Sequence, residues 1–441
     1  MELVVFGTYG EKLGHVDGKG EGLYVLKYDH NAKQFAPSTG LLGKPQLSHL
    51  YKNPTYLTCY RGSDSSAPTL YVVDEREDAP GTVSCLSIDE ATGELKPLGP
   101  TIPAAIDAKG KQGAACCHVN VSPNGQHVMA ANYVGGSLVA IGRNQADGSL
   151  DPACVQYVTL GTGVQFPGPN AARQEGSHAH MCLFSSGTQG STLLVADLGS
   201  DLVWSIPFDE TNRAAPLGTP VATGGGHQSL AGGGPRHMAL HPTKPIVYVG
   251  YELTSQVAAF AVDPTTGALQ GAPLCVSNAM NGCKAPFLGG ETSGGHTGNP
   301  AETSYSQLVR QGGVCSDKAT SIAAVRISLS GSHLIVSNRL AGVPGALSAI
   351  PLDESGCFGS AIAITGTLGR TPRDFAFIDP RPAAMRGRKR EGAYHDIVAL
   401  AANQDTDEIS LMVEGGEPRV LTTAIPTPVC ICMVGCQAST A

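Results

Sequence analysis

Apolar residues come in runs of four to eight along this chain, alternating or β-branched, and each run stops at a cluster of Gly, Pro, Asn, Asp or Ser. No stretch sustains a 3.6-residue period, so the pattern predicts strands and turns throughout. The runs also recur as larger units. CHVNVSPNGQHVMAANYVGGSLVAI (117–141), RHMALHPTKPIVYVGYELTSQVAAF (236–260) and AAVRISLSGSHLIVSNRLAGVPGALSAI (323–350) share one layout. Further copies begin at 55, at 179 and at 373. Each reads as a short strand, a turn, a second apolar strand, a polar turn and a third strand. A fourth strand is expected after segments such as ATGELKPLGP and PTTGALQGAP.

Four-stranded units repeated around an axis make an all-β propeller. Six full copies leave two incomplete ends. The N-terminus supplies VVFGTY and GLYVLKYD without a leading strand, and the C-terminus supplies the orphan strand PVCICMV (428–434). The expectation is a seven-bladed β-propeller over 1–441, a single domain whose last blade is closed by the N- and C-terminal strands, because closure removes unpaired edges. A polar, glycine-rich stretch at about 271–320 and a basic one at about 381–394 are expected to be loop insertions.

Composition narrows the function classes. With 29 Lys and Arg against 37 Asp and Glu, the net charge is −8, which argues against a nucleic-acid partner. No apolar run approaches the ~20 residues of a membrane helix, and Met1 to Gly10 does not read as a signal peptide. The 13 cysteines are scattered and form no C-x-x-C pair, so buried free thiols in a reducing cytoplasm are expected, without a disulfide framework or a metal site. His127 and His241 fall in turns and are expected at the surface, and Trp204 in the packing.

Position within the repeat isolates the chemistry. In antiparallel neighbours the start of the first strand and the end of the second lie together. The first slot holds Tyr56, His118, His180, His237, Ala324 and Asp374, preceded in two units by Arg236 and Arg373. The second holds Glu75, Tyr133, Asp197, Glu252, Arg339 and Gln404. So many titratable groups around one axis predict a small-ligand site at one mouth of the channel. His178, with Arg173 and Glu175 in RQEGSHAH (173–180), crowds the same rim. Tyr133 and Asp197 are expected to be structural, and the bland reading of any of these groups is a bond to a neighbouring blade.

These units resemble the seven-bladed lactonase family, which includes propeller-type 6-phosphogluconolactonases and carboxy-cis,cis-muconate cyclases. The resemblance rests on RQEGSHAH, VADLGSD (195–201), GPRHMALHP (234–242) with YELTSQV (251–257), VRIS and VSNR (325–339), PRDF (372–375) and AANQ (401–404). It implies a cytoplasmic enzyme without metal or cofactor, acting on a small anionic lactone or muconate-type acid. The family's set of a histidine, two arginines and a glutamate carries over to His178 or His180, to Arg236, to Glu252 and to Arg339 or Arg326. Ala324 departs from relatives that often carry an acid there.

Lactone hydrolysis needs a base to activate water and donors for the oxyanion. Arg173, Arg236, Arg326, Arg339 and Arg373 exceed what one oxyanion requires, so some are expected to grip a phosphate or carboxylate. Glu175, Glu252 or a neutral histidine is the base candidate, and His118, His237, His178 and Gln404 are expected to line the substrate site. No G-x-S-x-G elbow supports a serine mechanism. The expected activity is hydrolysis of 6-phosphogluconolactone; the alternatives are the lactone-forming cyclase and a non-catalytic scaffold.

Overall fold

A computed structural model describes residues 1–62, 67–105, 115–223, 230–280, 320–340, 342–378, 398–413 and 416–434. Seven antiparallel sheets follow one another around an axis. Blade 1 joins both ends of the chain, with strands Pro428–Met433, Glu2–Thr8, Leu23–Asp29 and Gln34–Phe35 from the channel outward. Blades 2 to 7 follow in chain order, their innermost strands being Tyr56–Tyr60, Cys116–Val121, Ala179–Ser186, Pro235–Leu240, Thr320–Ile327 and Pro372–Phe377. The expected closure is present, since Val4 pairs with Met433, Val5 with Cys432 and Phe6 with Ile431.

The apolar core lies between the blades. Second strands such as Thr69–Asp74, His127–Asn132 and Ile246–Tyr251 are buried at every position, because a neighbouring sheet covers each face. Alternation around the terminal strand shows the division: Cys430, Cys432 and Val434 pack with blade 2, whereas Ile431 and Met433 pack with blade 7. At ~1.5–3 kcal/mol for each buried Val, Ile or Met, this one strand contributes an amount comparable to the ~5–15 kcal/mol stability of a whole domain.

Several expectations need correction. The stretch predicted as a loop from about 271 begins as the outer strand Leu269–Asn278 of blade 5, and only 281–319 lies outside the described residues. The loop reading rested on the GG, SGG and GN clusters that follow this strand in the sequence, and the strand's own Gly271 and Pro273 are tolerated at an exposed edge. The basic stretch 381–394 also lies outside them. Not all cysteines are free: Cys275 of blade 5 and Cys357 of blade 6 form a disulfide, with Cα atoms 6.0 Å apart across 82 residues of sequence. Ring packing creates that proximity, which spacing along the chain does not reveal. His127 and His241 are buried rather than exposed, because the next blade covers their turns. His127 meets Phe208 edge-on at 5.5 Å, and His241 Nδ1 accepts from the Thr243 and Lys244 N–H groups.

Candidate active site

One irregularity, repeated from blade to blade, builds the site. In blades 1, 3, 4, 5, 6 and 7 the pairing of the two innermost strands slips by one residue at the channel mouth. Such a bulge re-aims a side chain, and here the bulged residues are Val429, Cys117, His180, Arg236, Ala323 and Arg373. In blades 1 to 5 and 7 the residue after the second strand fixes the register by a backbone bond to the segment just before the innermost strand. Tyr9 donates to Thr427, Glu75 to Asn53, Tyr133 to Ala115, Leu198 to His178, Glu252 to Gly234 and Gln404 to Thr371. Gly234 has φ +66°, and a Cβ there would stand 2.8 Å from Leu198.

This register corrects the slot comparison in blade 4. His180 occupies the bulge beside Arg236 and Arg373 in the repeat, while Met181 shares the slot of His118 and His237. Likewise Leu198, not Asp197, stands where Glu252 does. Asp197 is fully buried and accepts from the His178 and Ser200 N–H groups, Ser177, Ser200 and the Trp204 indole, which makes it a turn lock. Blade 4 carries the same slip as blades 3, 5 and 7, so aligning the copies on their bulge gives this assignment.

On one side of the mouth, Glu252 gathers three arginines. Its Oε1 lies 2.8 Å from an Arg173 terminal nitrogen, and its Oε2 lies 2.9 Å from Arg236 Nε and 3.1 Å from an Arg339 terminal nitrogen. Arg236 also donates to the Ala323 carbonyl, Arg339 to Ile322 and Arg173 to the Tyr133 hydroxyl, so the cluster ties together blades 3, 5 and 6. Burial alone would raise the Glu252 pKa, but Arg339, Arg236 and Arg173 override it and hold the carboxyl well below the usual range. Burial, then Arg339, lowers Arg236 to about 10, which still leaves it cationic at neutral pH.

Across the mouth stands a second chain of contacts, through blades 7, 1 and 2. Arg373 donates to the Tyr9 hydroxyl at 2.9 Å and to Gln404 Oε1 at 3.2 Å. Tyr9 donates to Glu75 Oε2 at 2.8 Å, and Thr55 donates to the same oxygen. Tyr9 is fully buried, and burial pushes its hydroxyl pKa well up.

His180 lies between the two sides, where burial and then Arg236, Arg373 and Arg339 push its pKa well below the ordinary value. It is therefore neutral, and its buried Nδ1 has no hydrogen-bond partner among the described residues. Its ring meets His237 at 5.4 Å, and His237 meets His118 at 6.1 Å with Tyr56 tilted against His118 at 4.4 Å. Burial, then Arg326 and Arg236, lowers His118 to about 3, and His237 is likewise lowered by burial and Arg236. Among the described residues no group of three or more His, Cys, Asp and Glu could hold a metal ion.

Of the predicted residues, then, Arg173, Arg236, Glu252 and Arg339 converge, with His180 beside them. His118 and His237 continue the histidine row, and Arg373 and Gln404 face it from the other side. Arg326 stands apart from Glu252: it pairs with Asp374 at 2.8 Å, and Asp374 accepts from the Ile431 N–H, which locks blades 6, 7 and 1. His178 is occupied too, one ring nitrogen on the Tyr133 carbonyl and the other 2.9 Å from Glu175, with its ring stacked on Tyr133. It orients Tyr133, while Glu175 remains largely exposed. Tyr9 and Thr55 were missed; Tyr9 ends the VVFGTY strand in the same slot as Glu252, a match visible once the copies are compared across the chain ends.

Comparison with known proteins agrees with this architecture. The family described as "Lactonase, 7-bladed beta-propeller" matches residues 3–415. A 6-phosphogluconolactonase of Bacillus subtilis is 26% identical over 428 residues, covering 96% of each chain. Among solved structures, a putative 6-phosphogluconolactonase from Bacteroides fragilis superposes with a TM-score of 0.67 at 21% identity, covering 98% of each chain. A periplasmic gluconolactonase from Pseudomonas aeruginosa gives 0.66 at 22% identity, covering 98% of this chain and 99% of that one. The last two likenesses concern the fold alone.

Proposed function

Since the chain belongs to the seven-bladed β-propeller lactonase family, we propose that it hydrolyses a sugar lactone bearing an anionic group, with 6-phosphogluconolactone as the substrate. The observation that carries this reading is the charge at the channel mouth. Among the described residues, Arg173, Arg236, Arg339 and Arg373 surround a neutral histidine and are opposed by two buried carboxylates, Glu252 and Glu75. A net cationic mouth on a protein of charge −8 concentrates anions at one place.

The chemistry follows from what each group has free. Glu252 is ionised, but with three guanidiniums on its two oxygens it holds a proton too weakly to act as a base. Its work is to fix the arginines. His180 Nδ1 is the unclaimed acceptor. It takes a proton from water as the water oxygen bonds to the lactone carbonyl, and Arg236 and Arg339 stabilise the oxyanion. When the ring C–O bond breaks, the imidazolium returns that proton to the leaving alkoxide, giving the open hydroxy acid. Substrate anions offset the arginine field on His180 and raise its basicity at the moment it is needed. Loss of one oxyanion donor from such a site costs ~3–4 kcal/mol of barrier.

The Bacillus relative's name supports the phosphorylated substrate. The cytoplasm is the proposed compartment, on the eight thiols among the described cysteines, which outnumber the one disulfide, Cys275–Cys357. Assaying purified protein with 6-phosphogluconolactone, gluconolactone and carboxymuconate tests the proposal. Hydrolysis of the first should exceed its spontaneous rate and that of the second. Turnover of carboxymuconate alone would transfer the site to the lactone-forming reaction, and turnover of none would leave a scaffold.

A further inference from the structure

The arginines at the mouth differ in what neutralises them. Arg173, Arg236 and Arg339 share the Glu252 carboxylate. Arg373 has no ion pair among the described residues; its partners are the neutral Gln404 amide and the Tyr9 hydroxyl. A half-buried guanidinium with no carboxylate in direct contact is costly, and the nearest, Glu75, reaches it only through the Tyr9 hydroxyl. Yet it is held firmly. Its cationic carbon lies 5.1 Å from the centre of the Tyr9 ring, and the Tyr9 hydroxyl is itself fixed by its bond to Glu75. Thr55 completes that carboxylate, and Asn53 binds the Glu75 carbonyl through its amide. Blades 7, 1 and 2 thus orient one guanidinium, with two of its five donors engaged by these partners and the others left for a ligand.

We infer that Arg373, oriented by Tyr9 and Glu75, is an anion subsite that grips the exocyclic phosphate of the lactone and so sets preference for phosphorylated over neutral sugar lactones. The inference rests on the lactonase reading for the identity of the ligand, but its geometry does not depend on hydrolysis. The two sides of the mouth then divide the work: the Glu252 side and His180 meet the lactone carbonyl, and the Arg373 side meets the tail. Tyr9 and Glu75 are positioning residues, acting through Arg373.

Equilibrium binding of the two product acids, 6-phosphogluconate and gluconate, separates this inference from the reaction itself. The wild-type protein should bind 6-phosphogluconate more tightly. Arg373→Met should weaken 6-phosphogluconate about 10- to 100-fold, the worth of a charged hydrogen-bonded contact, and gluconate far less. Arg373→Lys should recover part of the loss, since it restores charge without the planar fork. Tyr9→Phe keeps the packing and removes the hydroxyl, so it should shift the same ratio by a smaller factor of roughly 2 to 5. An equal loss for both acids, no loss for either, or a wild-type protein that binds the two alike or not at all would overturn the subsite. Selective loss in a protein that does not hydrolyse the lactone would keep the subsite and refute the reaction.

Discussion

The two sides of the channel mouth use the same residue types to opposite effect. On the Glu252 side three guanidiniums converge on one carboxylate, so every arginine there has a direct ion-pair partner although the group keeps a net positive charge. On the Arg373 side one guanidinium reaches its carboxylate only through a tyrosine, and its charge is left for a ligand. An arginine count alone does not distinguish these cases. Each side has an acid in the slot after a second strand, Glu252 of blade 5 and Glu75 of blade 2; what separates them is that Glu252 meets its arginines directly, whereas Tyr9, in the same slot of blade 1, stands between Glu75 and Arg373.

The largest expected effect removes both sides together. Deleting 426–441 takes away the innermost strand of blade 1 and the Thr427 carbonyl to which the Tyr9 N–H donates. The ring should open and soluble folded protein should be lost, as read by yield and circular dichroism. A truncated chain that melts like the full one would contradict the closure.

The next effect separates the sides by stability. Glu252→Gln leaves three guanidiniums around a neutral amide, and breaking a buried ion pair costs ~3–5 kcal/mol. Glu75→Gln disturbs bonds from neutral hydroxyls and should cost less, about 1–3 kcal/mol. Denaturant titration of both variants checks the order. pH sharpens it. The folded Glu252 pKa lies below its unfolded value of ~4.3, so its stabilisation is full above that pH and is lost as pH falls through the folded pKa. The gap between wild type and Glu252→Gln should therefore narrow only below about pH 4.3. A gap that closes near neutrality would mean that Glu252 is not held ionised by the arginines.

A smaller effect concerns the acid limb of activity. A base with its pKa pushed below the ordinary ~6.5 of histidine stays neutral as pH falls past that value, so kcat/KM should hold through pH 6.5 and decline only at lower pH. A decline centred near 7 would point to another group. Smallest of all, chelator treatment should leave turnover unchanged, and a loss restored by zinc or calcium would place the chemistry in another class.

Much of this was legible in the sequence because the repeat carries it. Four-strand units, the shared closing blade and the Arg236–Glu252 pairing all follow from strand periodicity and antiparallel order. The bulge was not legible. Because His180 sits at the same slip as Arg236 and Arg373, it belongs to the arginine slot, and Leu198 rather than Asp197 follows the second strand; the apolar and polar pattern of the strands does not mark either point. Arg326 shows the other limit. It shares a strand with channel residues, but Asp374 of the next blade claims it, and contacts between blades are written only in three dimensions. The Cys275–Cys357 bond was hidden for the same reason.

The division of labour across the mouth is tested most directly by kcat and KM for 6-phosphogluconolactone in two variants measured side by side. His180→Gln should lower kcat by about 10²–10⁴-fold with KM little changed, as expected for loss of a general base. Arg373→Met should raise KM by about 10- to 100-fold, the worth of a charged contact, while kcat stays within a few-fold. If both variants change the same parameter by similar factors, the two sides do not have separate roles, and the account of this site is wrong.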